Sequence, residues 1–111
     1  MTLTEANLTL FARYGALIAA THDDPLADDA RLSLHHLAWM CAEAQSQGAA
    51  MPADKASRWL GFIQGCLAMR GLIDVDDERA ITRPLFHAAA QGRGEGTPAT
   101  LVRPPDSPDP V

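Results

Sequence analysis

Apolar residues recur in this chain at helical spacing, and the recurrence is repeatedly cut by residues that helices do not tolerate. Leu3, Leu10, Tyr14 and Leu17 share one face of a first block, with Phe11 and Ile18 widening it. Ala30, Leu34, Leu37, Cys41 and Ala44 do the same in a second block, and Ala56, Leu60, Ile63 and Leu67 in a third. Ile81, Leu85 and Ala88 make a fourth, shorter set. Steps of three and four put each set on one stripe of a helix. The interruptions are THDDPLADDA at residues 21–30, Gly48, Gly71 and Pro84. Alanine, leucine, methionine, arginine and glutamate, all good helix formers, dominate the blocks. This pattern predicts an all-α fold, a compact four-helix domain that buries four stripes against one another.

End signals sharpen the boundaries. Thr2 and Glu5 have capping-box spacing, so a first helix is expected over residues 4–20. Asp24 followed by Pro25 resembles a cap with proline in the first turn. Asp28 and Asp29 suit the positive end of a second helix, expected over residues 30–47 with Gly48 as its stop. Pro52 fits the first turn of a third helix over residues 52–70, and Gly71 with Leu72 behind it suits a left-handed stop. Asp74 can cap a fourth helix whose first turn holds Asp76, Asp77 and Glu78. Pro84 is expected to kink or divide that helix. From Gln91 onward, QGRGEGTPATLVRPPDSPDPV is rich in glycine and proline and reads as a disordered tail. The domain organisation is therefore a helical domain, 1–90, and a flexible tail, 91–111.

The third helix carries Gly61 and Gly65 in its interior, each costing about 1 kcal/mol against alanine. With Ser57 and Ala68 they make a flank of small side chains. The expected compensation is a neighbouring backbone lying close against that flank, which would make the third helix the centre of the domain. The competing reading turns the flank towards another molecule.

The 111 residues carry a net charge of −5 and an isoelectric point near 5.1, so no overall basic field draws nucleic acid or an anionic membrane. No run of 18 apolar residues suggests a membrane span, and MTLTEANLTLF lacks the basic start of a signal peptide. Cys41 and Cys66 lie far apart in apolar settings without CxxC spacing, which fits buried free thiols in a reducing cytoplasm. No metal or other cofactor is expected. His35 and His36 point about 100° apart and cannot chelate one ion from a single helix. HExxH, GxSxG, Walker and GxGxxG patterns are absent. The acidic run at 21–30 lacks the glycine and terminal glutamate of a calcium loop, and helix caps account for its aspartates.

Two stripes stand outside the expected core. Leu32, His36 and Trp39, continued by Glu43, run along the second helix opposite its apolar face. Tryptophan in such a place suits a partner surface, or is covered by another helix of the same domain. Arg79, Arg83 and His87 run along the fourth helix, with Arg58 and Arg70 on its neighbour. They suit a phosphate or an acidic protein, or form an ordinary solvated face. These stripes favour a non-enzymatic protein that binds a macromolecule, most readily another protein. Pairing with a second copy through the Trp39 stripe or the glycine flank gives a homodimer. A reading of another class makes the protein a small enzyme or metal-dependent protein using His36, Glu43, Cys41 and His87. A third puts nucleic acid on Arg58, Arg79 and Arg83, against the acidic balance of the chain.

Residues 54–87, DKASRWLGFIQGCLAMRGLIDVDDERAITRPLFH, resemble small helical proteins encoded by phages and prophages. The resemblance runs through Arg58, Trp59, Leu60, Gly61, Gln64, Gly65, Gly71, Leu72, Val75, Glu78, Arg79, Thr82, Arg83, Pro84, Leu85 and Phe86. It implies a cytoplasmic bacterial or viral setting and an accessory role towards a host protein, as an inhibitor, anti-defence or regulatory factor. It implies no active site.

Overall fold

A computed structural model describes residues 1–92 of the protein, with side chains to Gln91. Four helices follow in order: α1 (Leu3–Ala19), α2 (Leu34–Gln47), α3 (Ala53–Met69) and α4 (Val75–Gly92), with a short 3-10 turn (Gly48–Ala50) after α2. The fold is all-α, as the periodicity predicts, and no strand occurs among the described residues. Gln91 and Gly92 continue α4, so the helical domain runs past residue 90; the rest of the expected tail lies outside the described residues. Among those residues, no helix is long and apolar enough to cross a membrane.

The ends form where capping chemistry puts them. Thr2 Oγ1 accepts from the Glu5 amide at 3.0 Å while Glu5 reaches back to the Thr2 amide, completing the capping box of α1. Gly48 and Gly71 adopt φ of 54° and 73°, the left-handed region where a side chain would strain the backbone. Asp74 Oδ2 accepts from the Asp77 amide and starts α4. Pro52 stands one residue outside α3, as its N-cap.

Helix α2 departs from expectation. It begins at Leu34 rather than Ala30, because Ser33 is the true cap and accepts from the His36 amide at 3.1 Å. The aspartates before it build turns instead. Asp29 Oδ1 accepts from the Arg31 and Leu32 amides, and Asp24 accepts from the Leu26 amide and, across ten residues, from the Leu34 amide at 2.7 Å. Side-chain acceptors that bond the backbone locally compete with helix, and here they win over residues 24–32.

The core forms around α1. Leu10, Phe11 and Tyr14 are fully buried, and α1 packs on α2, α3 and α4, whereas α2 and α3 meet only briefly. Leu37, Cys41, Ile63 and Leu67 complete the interior. Burial of each large apolar side chain contributes about 1.5–3 kcal/mol. The expectation that α3 is central is thereby corrected. Gly61 and Gly65 are exposed, and a Cβ built at either would meet nothing within 4 Å among the described residues. Ser57 is exposed and Ala68 half-buried, so the bare flank brings no backbone close. The glycine at a helix crossing is Gly15 of α1, where a Cβ would stand 3.5 Å from Cys41 Cβ on α2.

Helix α4 is continuous through Pro84, so the proline does not divide it. It is also rotated about its axis from the expected setting. Ile81 is exposed, whereas Glu78 and Ala89 are buried and Leu85 and Phe86 lean on the core. The rotation has an electrostatic reason, set out next.

Candidate functional site

Glu78 enters the domain from α4 and is held by α1. Arg13 Nε and Nη2 donate to its two oxygens at 3.1 and 2.8 Å, a bidentate pair. The Tyr14 hydroxyl donates to Oε2 at 2.7 Å and accepts from Gln64 Nε2 of α3 at 2.9 Å. Three helices thus meet on one buried carboxylate. The hydrogen bonds from Arg13, aided by Tyr14, outweigh desolvation and hold the Glu78 carboxyl below its ordinary value. Burial and the bond to Glu78 push the Tyr14 phenol up, so it remains a donor. Sequence reading missed this group. Arg13 sat on the polar face of α1 and Glu78 among dipole-favoured acids, and 65 positions separate them.

Arg70, expected on the cationic stripe, is instead buried. Its Nε donates to Asp24 Oδ1 at 3.0 Å, Nη1 donates to the Cys66 carbonyl, and Nη2 to the Leu32 carbonyl. Desolvation raises the Asp24 carboxyl, but the Leu34 and Leu26 amides and Arg70 together hold it below its ordinary value. This pairing pins the connection between α1 and α2 to the end of α3.

Two surfaces remain. The first is an aromatic strip across α2 and α3. His36 stacks on Trp39, with centroids 5.7 Å apart and planes 22° apart. Trp39 meets Trp59 at 6.0 Å, and Lys55 Nζ lies 5.1 Å from the Trp59 ring centroid. Trp39 is 52% exposed, Phe62 40% and Met69 86%. One helical face of α3 carries Trp59, Phe62 and Met69 at steps of three and seven. Of the residues expected on this surface, His36 and Trp39 are there, and Leu32 is not. Leu32 lies in the turn before α2 and packs against the core. Trp59, Phe62 and Met69 lie beside the core stripe of Ala56, Leu60, Ile63 and Leu67, and the brief contact between α2 and α3 leaves Phe62 and Met69 exposed.

The second surface is a cleft of about 400 Å³ between α3 and α4. Arg79, Arg83 and His87, the stripe expected on the outer face of α4, form one wall of it. Arg58 is exposed on α3 and takes no part in the lining. The three arginines of the nucleic-acid reading therefore do not share one surface.

No family model, curated protein or solved structure matches the chain.

The residues of the catalytic reading do not assemble. Cys41 lies in the core beside Gly15, and burial raises its thiol to about 11, away from the reactive thiolate. His36 is engaged with Trp39, Glu43 accepts from Gln47 Nε2 at 2.9 Å, and His87 stands at the cleft. Among the described residues, no three His, Cys, Asp or Glu side chains stand together as metal ligands would.

Proposed function

We propose that the protein is a non-enzymatic binding module whose working surface is the aromatic strip, and that its occupant is another protein. The observation that carries this reading is the stacked Trp39, half exposed and in contact with Trp59 across two helices, with Phe62 and Met69 exposed on the same face of α3. Large rigid aromatics on a surface are enriched at the energetic centres of protein interfaces. Lys55, Arg58 and His36 stand along the strip on the same two helices, which favours a partner face with an apolar middle and a carboxylate rim. The resemblance of residues 54–87 to phage- and prophage-encoded proteins supports an accessory role, with a host protein inhibited or redirected by capture.

A photo-crosslinking benzophenone side chain at position 39, with the same group at exposed position 16 on α1 as control, tests the reading in host-cell lysate. One protein species joined from position 39 alone, and lost in a Phe62→Ser background, is the expected result. Equal products from both positions, or none from position 39, would overturn it. Products containing only a second copy of the chain would also overturn it and reassign the strip to self-association.

A further inference from the structure

We propose that the α3/α4 cleft is a separate binding site for a small organic anion with an apolar body, of the aryl- or branched-alkyl-carboxylate class. Its volume, about 400 Å³, falls within the range of small-molecule pockets, about 300–1,000 Å³. Ile73 and Phe86 give it an apolar side. Arg83, exposed on α4, gives it a guanidinium. A guanidinium matches a carboxylate through two parallel hydrogen bonds, which a neutral ligand cannot use fully.

The acidic group in the lining is not engaged with Arg83. Both oxygens of Glu78 are already engaged, by Arg13 and Tyr14. Asp76 and Asp77 are exposed and lie outside the lining. The side towards α3 is fixed before any ligand arrives. Gln64 is held by Tyr14, Tyr14 by Glu78 and Glu78 by Arg13, which leaves the Gln64 carbonyl and second N–H for a ligand. Groups already ordered do not have to be immobilised on binding, so more of the contact energy appears as affinity. A half-apolar recess with an exposed guanidinium, in a chain of net charge −5, is selective for an anion that also has a body to bury.

The test is amide-detected NMR of the full chain titrated with phenylacetate, with benzyl alcohol and inorganic phosphate as probes of the apolar body alone and the charge alone. Phenylacetate is expected to shift the amides of Ala68, Ile73 and Thr82 saturably. Benzyl alcohol and phosphate should bind at least about tenfold more weakly. Arg83→Gln, at an exposed position, should weaken phenylacetate about tenfold, and Arg58→Gln, outside the cleft, should leave it unchanged. Shifts confined to the Trp39 and Trp59 region, shifts that never saturate, or phosphate binding as tightly as phenylacetate would each overturn the proposal. So would an Arg83→Gln protein, native by circular dichroism, that binds undiminished.

Discussion

Two ion pairs tie the helices together among the described residues, and they are built from opposite ends. At the first, three helices converge on a carboxylate: Glu78 of α4 is gripped by Arg13 and Tyr14 of α1, with Gln64 of α3 behind them. At the second, the guanidinium of Arg70 gathers Asp24 and two backbone carbonyls, one of them in the segment that precedes α2. Around Glu78 the Tyr14 proton has no second acceptor, because Gln64 donates to that hydroxyl. The groups around Arg70 keep other partners, since Asp24 still receives the Leu26 and Leu34 amides if Arg70 is lost. The difference teaches where removal is costly. A buried pair is expensive to break when the survivor is stranded, and cheaper when its bonds are redundant.

Glu78→Ala should therefore give the largest effect, a loss of about 2–4 kcal/mol, measured by chemical denaturation. It strands the Tyr14 donor in the interior, while Arg13, whose side chain is 41% exposed, can turn to water. The comparison also fixes a pH dependence. The Glu78 carboxyl is depressed in the fold from an ordinary 4.5, so its contribution is complete above that value and is lost as pH falls through the depressed one. Asp24 is depressed too and acts in the same direction. Between about pH 5 and pH 2 the wild type should lose stability steeply, and Glu78→Gln should retain only the shallower part due to Asp24 and Asp29. Equal slopes in the two proteins would show that Glu78 is not the carboxylate that couples folding to protons.

Arg70→Met comes next, with a Tm lower by about 8 °C. Its effect should be local. Amide exchange should quicken across residues 24–34, where the turns rest on Asp24, and stay slow in α1 and α4. If Arg70→Met costs more than Glu78→Ala, or if its exchange spreads to α4, the ranking of the two pairs is reversed.

How much of this was legible in the sequence follows from the range of the interactions. The capping box at Thr2 and Glu5, the stops at Gly48 and Gly71 and the cap at Asp74 are decided within a few residues, and all five positions act as expected. The apolar stripes of α1 and α3 were legible for the same reason. Asp24 shows the limit. Its local spacing to Pro25 suggested a helix start, but its oxygens serve Leu34 and Arg70, 10 and 46 positions away. The setting of α4 was not legible because burying Glu78 depends on Arg13, 65 positions away. The two surfaces were half legible. The Arg79, Arg83 and His87 stripe is real in periodicity, yet whether it faces water or a cleft depends on how α4 is rotated.

The glycines of α3 supply the smallest effect and a control for the comparison, because their flank touches neither ion pair. Gly61→Ala and Gly65→Ala place a methyl group where nothing lies within 4 Å among the described residues, in the interior of a helix. Each should stabilise the protein by about 1 kcal/mol, a Tm rise of about 4 °C or more, since the substitution removes backbone freedom from the unfolded chain without straining the helix. Gly15→Ala tests the opposite setting. Its new methyl would meet Cys41 Cβ at 3.5 Å, an ordinary contact, so its gain depends on a packed crossing rather than open solvent. The double variant at 61 and 65 should raise Tm further, by about the sum of the two single changes less any coupling between positions one helical turn apart. A fall in Tm, with unchanged exchange around Glu78 and Asp24, would mean that a backbone does lie against this flank, and α3 would regain the central place that α1 holds here.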